Sequence, residues 1–219
     1  MTVHKPHQEY FLQDGTKVPG VTTVLQIVNK PALAPAANRL GLQNINTNIY
    51  WRTLADIGSI AHFLILKHLN DIQKPDISEL GNFSQNQIDK AENSFLSYLE
   101  WEKNHKVEPV LLETPMVSES KKYGGTPDCV CHLDGGTKLT LIDFKSGGIY
   151  KEAYWQVAAY GYLCGVEKGI ILGIPRTADE SFDERIIDDL SLGIYPFLKC
   201  LELYNAIKAY ESQVKLIAH

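Results

Sequence analysis

Residues 125–147 read GTPDCVCHLDGGTKLTLIDFKSG, and their reading decides the fold. Two apolar runs flank Gly135-Gly136, and each carries an acid, Asp128 or Asp143, where a buried strand would carry Val. Glycines between alternating runs predict a hairpin, because only glycine enters positive-φ turns without strain. With the turn at Gly135-Gly136, Asp134 pairs with Thr137, His132 with Leu139, Val130 with Leu141, and Asp128 with Asp143. Alternation then puts Asp128, Val130, Leu139, Leu141, Asp143 and Lys145 on one face and Cys129, Cys131, Leu133, Ile142 and Phe144 on the other.

Opposed carboxylates on a ladder have Cβ atoms ~5 Å apart and repel. Apolar neighbours such as Val130 and Leu141 worsen that, so something positive belongs between them. Lys145, two residues on and on the same face, is one candidate; a hard divalent cation held by oxygen ligands is the other. The spacing leaves both open.

Composition bounds the rest. The chain has 219 residues, 44% hydrophobic and 21% charged, which suits one globular domain with an ample core. No apolar run reaches membrane-spanning length, and MTVHKPHQEY has no signal-peptide core. Cys129, Cys131, Cys164 and Cys200 form no CxxC pair and no zinc-finger spacing, so a reducing cytoplasm is the simplest expectation. A net charge of −5 argues against a general nucleic-acid coating protein. It does not exclude a nucleic-acid enzyme, since acids that hold cations count as negative.

Outward from the hairpin, EYFLQDGTKVPG predicts a small hairpin turning at Asp14-Gly15, and VTTVLQIV a short helix capped by Thr22 or Thr23. NKPALAPAANRLGLQNINTN reads as irregular with a short helix. A helix is predicted from Trp51, with Leu54, Ala61, Ile65 and Leu69 on its stripe. Ser84 and Gln87 form a capping box for a second, burying Ile88, Ala91, Phe95 and Leu99. PVLLETPMVSES predicts a strand, EAYWQVAAYGYLC a helix, KGIILGIP a buried strand, DERIIDDL an edge strand and FLKCLELYNAIKAYESQ a closing helix. The expected class is α/β (α+β): a central mixed sheet flanked by helices.

GGTPD, LIDFKSG and QVAAY, in that order, resemble the PD-(D/E)XK nuclease superfamily, in its RecB-like and phage-type exonuclease branch. The matching residues are Pro127-Asp128, Asp143-Phe144-Lys145, and Gln156 with Tyr160. Gly58 and His62 match the branch's upstream Gly-x-x-x-His helix, Glu113 its acid before Pro-Asp, and VPGVTTVL the opening of phage members. The resemblance implies a restriction-endonuclease-like core spanning residues 1–219 as one domain, with an N-terminal helical embellishment over about 1–105. No cysteine precedes Cys129, so the iron-sulfur cluster of some relatives is not expected.

The resemblance further implies that Asp128, Asp143 and the Phe144 carbonyl hold one or two Mg²⁺ or Mn²⁺ ions, with His62 completing the shell through a neutral ring nitrogen. Lys145 would orient water and offset charge on the scissile phosphate, its pKa lowered by the metal. His62 alone reads equally as a core histidine bonded to a carbonyl, and Glu113 as an exposed strand acid or a water-mediated ligand. Gln156 and Tyr160, four apart, share a helix face; the implied roles are positioning of substrate or water and support of Lys145, against Tyr160 as plain core. Lys121, Lys122 and Lys151 are a solvated face or contacts to DNA phosphates. The implied activity is metal-dependent DNA hydrolysis by an exonuclease leaving 5′-phosphates, in a bacterial or phage-encoded intracellular protein. A homo-oligomer or a recombination or repair partner stays open. The alternatives are a catalytically inactive nucleic-acid- or protein-binding module on the same fold, and a metallohydrolase of small phosphoesters.

Overall fold

The computed structural model describes residues 8–28 and 33–217, with side chains through residue 214. Residues 1–7 of the N-terminal segment and residues 29–32 of the Pro- and Ala-rich stretch lie outside the described residues. In chain order come β1 (Tyr10–Phe11), β2 (Lys17–Val18), α1 (Val21–Leu25), α2 (Leu33–Leu42), α3 (Thr47–Leu69), a 3-10 turn at Ile77–Leu80 and α4 (Gln85–Glu102). Then follow β3 (Val107–Leu112), β4 (Met116–Ser118), β5 (Tyr123–Gly125), β6 (Cys129–Leu133), β7 (Leu139–Lys145), α5 (Lys151–Cys164), β8 (Lys168–Gly173), β9 (Asp183–Ile187) and α6 (Ser191–Ile217).

The expected mixed sheet flanked by helices is present, in the order β3-β6-β7-β8-β9. Only β7 and β8 run parallel, joined through α5, because parallel neighbours need a crossover connection. The β6-β7 register is the expected one, with His132 opposite Leu139 and Val130 opposite Leu141. The turn itself differs. Positive φ falls on Asp134 (54°) and Gly135 (71°), and Gly136 N–H closes it on Leu133 O, so the turn sits one residue earlier than Gly135-Gly136. Asp134 tolerates this conformation because its carboxylate accepts from Lys106 N–H and His105 Nδ1.

The alternation of β7 separates two cores. Val130, Leu141 and Ile171 join α1, β5, α5 and α6 through residues such as Val24, Tyr123, Val157 and Phe197. Cys129, Cys131, Ile142 and Phe144 join α3 and α4 through Ile57, Ile60, Ala61, Tyr98 and Trp101. The sheet is therefore covered on both faces, which is why β7 and β8 read as apolar runs.

Helix boundaries depart from expectation where capping was overlooked. Asn46 accepts from Asn48 and Ile49 N–H, so α3 starts at Thr47 rather than Trp51. Its buried stripe is Ile57, Ile60, Ala61, Leu64 and Ile65, with Leu54 and Leu69 only flanking it. The Ser84–Gln87 box opens α4 as expected, but the buried residues are Ala91, Ser94, Tyr98 and Trp101. Phe95 and Leu99 pack at the edge, and the polar ends of Tyr98 and Trp101 reach Glu102 and Glu184. Neither threonine caps α1; Gly20 stands at its N-cap without a side-chain bond. The strand expected over PVLLETPMVSES breaks into β3 and β4 at Glu113, whose φ is 38°. Strand β5 pairs with β4, and α6 runs back through Pro196 to Ser191, six residues before its expected start at Phe197.

Candidate active site

The cluster forms where β6 begins and β7 ends. Asp143 and Lys145 are placed by β7, while Asp128 stands one residue before β6, one step beyond the last ladder pair, Cys129 with Ile142. Its backbone carbonyl accepts from Glu113 N–H at 3.0 Å and its Oδ2 from Phe144 N–H at 2.8 Å, so the Pro127-Asp128 corner is fixed from both neighbouring strands. Asp143 is buried at 1% exposure, with Lys145 Nζ 2.6 Å from its Oδ2.

Helix α5 supplies the polar lining. Gln156 Nε2 donates toward Asp143 Oδ1 at 3.3 Å and Tyr160 OH at 3.2 Å, while its Oε1 accepts from Lys145 Nζ at 3.2 Å. The two residues four apart thus act on one face, as their spacing predicted. Tyr160 comes this close because Gly125 has no Cβ; one there would stand 2.7 Å from the Tyr160 ring. On the opposite side, α3 brings His62 Nε2 to 3.1 Å from Phe144 O and Nδ1 to 3.5 Å from Asp128 Oδ1. Gly58, one turn earlier, lets Ser146 approach: a Cβ there would lie 2.9 Å from Ser146 Oγ.

Charge follows geometry. Burial pushes the Asp143 carboxyl up to about 6, against the pull of Lys145 and with help from Asp128. Asp128 goes down: burial opposes its charge, but His62, Lys145 and the Phe144 amide outweigh it. Burial works against a charged His62, yet Asp128 raises it, in keeping with a ring whose two nitrogens face a carbonyl and a carboxylate. Burial likewise works against the Lys145 ammonium, and Asp143 with Asp128 more than offsets it, so Lys145 is raised in the protein alone. Tyr160 is raised by burial first and then by the two aspartates, which keeps it a hydrogen-bonding phenol.

Among the described residues no three His, Cys, Asp or Glu side chains are gathered into a ready metal cluster. The reason is visible: Lys145 and Gln156 occupy the Asp143 oxygens, and the Phe144 amide occupies Asp128 Oδ2. The donor set nevertheless fits a hard divalent ion, with two carboxylates and a main-chain carbonyl beside one imidazole. His62 Nε2 stands 3.1 Å from Phe144 O, so the imidazole and the carbonyl would be at hand for the same ion.

Glu113 is bonded to this corner by its amide and lines, with Tyr10, Thr126, Asp128 and Tyr160, a cleft of about 510 Å³. The three lysines stand elsewhere. Lys121 and Lys122 are exposed at the β4-β5 turn, and Lys151 opens α5 with its ammonium 5.9 Å from the Trp155 ring centre. Sequence reading missed Tyr10, whose hydroxyl hydrogen-bonds Thr126 Oγ1 at 2.8 Å and whose ring packs on Gly124. The signal was the Gly124-Gly125 pair in a buried strand, which marks close approach.

No family model matches the chain, and no curated protein matches it. Solved structures do. The alkaline exonuclease LHK-Exo from Laribacter hongkongensis is 12% identical, covers 70% of this chain and 93% of its own, and superposes with a TM-score of 0.36. LHK-Exo in complex with dAMP gives 15% identity, 76% and 90% coverage, and a TM-score of 0.43. SSO0001 gives 17% identity, 67% and 71% coverage, and a TM-score of 0.34. The chain is thus similar in structure to an exonuclease at a level that carries no functional weight, and what the site does rests on its own residues.

Proposed function

We propose that the chain is a metal-dependent nuclease that hydrolyses DNA phosphodiester bonds, an exonuclease leaving 5′-phosphates, with residues 1–219 acting as one domain. The observation that carries this reading is the meeting of residues from three separate motifs at one point: Asp128, the Asp143-Lys145 pair, and Gln156 with Tyr160. The order and type of those residues supply the exonuclease part.

Bound at Asp128, Asp143, the Phe144 carbonyl and His62, Mg²⁺ or Mn²⁺ would supply Lewis-acid stabilisation and a more acidic water. The protein's own groups do the rest. Lys145, beside the two carboxylates, donates toward the scissile phosphate and offsets the charge that builds there. Gln156 fixes the Lys145 ammonium relative to Asp143, and Tyr160 fixes Gln156. Glu113 acts at the mouth of the cleft, through water or a second ion. Lys121, Lys122 and Lys151 meet the DNA backbone farther out.

A catalytically silent binding module on this fold would be favoured by a disrupted acid-Lys set, whereas Asp128, Asp143 and Lys145 are all present here. End-labelled linear and circular DNA, single and double stranded, incubated with Mg²⁺ or Mn²⁺ separates the readings. Shortening from the ends of linear DNA with 5′-phosphate products is expected. Equal cleavage in EDTA, or by Asp143→Asn, would remove the mechanism, and binding without cleavage would leave the silent module.

A further inference from the structure

Next to the Asp143–Lys145 cluster lies a second cavity of about 430 Å³, lined by Ser146, Gly147, Arg176, Lys90, Glu180 and Asp183 among others. Its position follows from the parallel pair. Strands β7 and β8 end on the same edge of the sheet, with Lys145 opposite Gly173 and Ile174 N–H bonded to Lys145 O at 2.9 Å. Ligands gather at such carboxyl ends. Ser146 follows Lys145 directly, and Arg176 follows Ile174 by two residues.

Arg176 is fixed at its backbone, and one of its donors is left buried and unmet among the described residues. Helix α4 pins its backbone: Ser94 Oγ donates to Pro175 O at 3.1 Å and Asn93 Nδ2 to Arg176 O at 3.2 Å. Its Nη2 donates to Ser146 Oγ at 3.3 Å, and its Nε is buried without an acceptor among the described residues. A buried donor left unmet is unfavourable, and a guanidinium fork matches phosphate geometry. The guanidinium reaches this place across Gly147, where a Cβ would stand 3.3 Å from Nη2. Of the acids on the wall, Asp183 is engaged by Arg185 at 2.8 Å through both oxygens, which leaves Arg176 and Lys90 against Glu180 alone.

We propose that Arg176, with Ser146 and Lys90, forms a phosphate subsite that holds a second phosphate of the nucleic-acid strand beside the one at Lys145. This rests on the nuclease reading above. The phosphate is an internal phosphodiester or a terminal monophosphate, and the substrates below tell them apart.

The test is steady-state cleavage by wild type, Arg176→Ala and Arg176→Lys over a range of salt concentrations, on oligonucleotides ending in 5′-phosphate, 3′-phosphate or hydroxyl. Thermal melts check each fold. Arg176→Ala should raise KM about tenfold with kcat nearly kept, as one charged hydrogen-bonding partner is lost. The slope of log KM against log salt should fall by about 0.7 to 0.9, the loss of one phosphate contact. Arg176→Lys should restore the slope and only part of the affinity. Lys199→Ala, which removes a cation already paired with Glu202 on α6, should change neither. Equal losses on all ends identify an internal phosphodiester, and a loss confined to one phosphorylated end identifies a terminal monophosphate. Unchanged KM and slope in folded Arg176→Ala overturn the subsite while leaving the nuclease intact. If Arg176→Ala does not fold, unchanged KM in Arg176→Lys and Ser146→Ala overturns it instead. Wild type that cuts no nucleic acid sinks the nuclease reading, and the subsite with it.

Discussion

Lys145 Nζ lies 2.6 Å from Asp143 Oδ2, on a carboxylate that is 1% exposed, while the lysine side chain is 24% exposed. One partner is buried and the other is partly open to solvent. Within the protein, therefore, Lys145 answers the charge of Asp143, and Asp128 finds His62 and the Phe144 amide instead. Repulsion between the two acids is relieved by Lys145 and Gln156 at Asp143 and by His62 and the Phe144 amide at Asp128.

Lys145→Ala is expected to abolish cleavage and to lower stability by roughly 1 to 3 kcal/mol, because it strands a buried carboxylate beside an amide alone; the range is discounted for the partial exposure of the lysine. Urea denaturation beside a cleavage assay reads both. Retained cleavage in a folded Lys145→Ala protein would discard the role given to this residue.

Metal binding should be measurable without turnover. Anything that binds only the folded state raises its stability, by about 2.7 kcal/mol at a hundredfold excess over Kd. Mg²⁺ or Mn²⁺ should therefore raise the melting temperature of wild type. Asp128→Asn and Asp143→Asn should each lose most of that rise, and His62→Ala part of it. A rise of the same size in all four proteins would place the ion elsewhere.

Gly125→Ala tests whether the α5 face is positioned by the strand beneath it. The added Cβ would meet the Tyr160 ring at 2.7 Å and Leu163 at 3.0 Å, so the ring must shift and take the Gln156 amide with it. Overpacking of this kind costs about 1 to 3 kcal/mol. The expected outcome is a folded protein with kcat depressed more than KM is raised. Wild-type kcat would show that Tyr160 is core and nothing more.

Much of this was legible because strand registers add up. Once glycines mark the turn, every pair from His132–Leu139 to the Asp128–Asp143 step follows, and so do the two faces, whichever residue of the turn carries positive φ. The Ser84–Gln87 box was equally readable, since both its partners are local. What was lost depends on contacts between distant segments. Strand β5 is Tyr-Gly-Gly, with no apolar alternation to see, and exists because Tyr10 packs on Gly124 and Tyr160 on Gly125. The break at Glu113 needs a non-glycine at φ 38°, which no local preference announces. Arg176 is a lone arginine after a strand, and only its unmet Nε within a walled cavity sets it apart.

The hairpin turn offers a pH test away from the site. Asp134 is held below its ordinary value of 3.8 by the His105 hydrogen bond first and the Lys106 amide second, with burial opposing weakly. A carboxylate depressed in the folded state stabilises it above the unfolded pKa, and that contribution disappears as pH falls through the folded pKa. Asp134→Asn keeps a residue tolerant of the 54° φ while removing the charge, so it isolates the electrostatic part. Wild type should then be the more stable protein at pH 6, and the gap should be narrower at about pH 3, below the ordinary aspartate value, and go on closing as pH falls through the depressed folded pKa. Urea melts of both proteins at the two pH values decide it. A gap that survives unchanged at pH 3 would mean that the turn prefers aspartate for its shape and not for its charge.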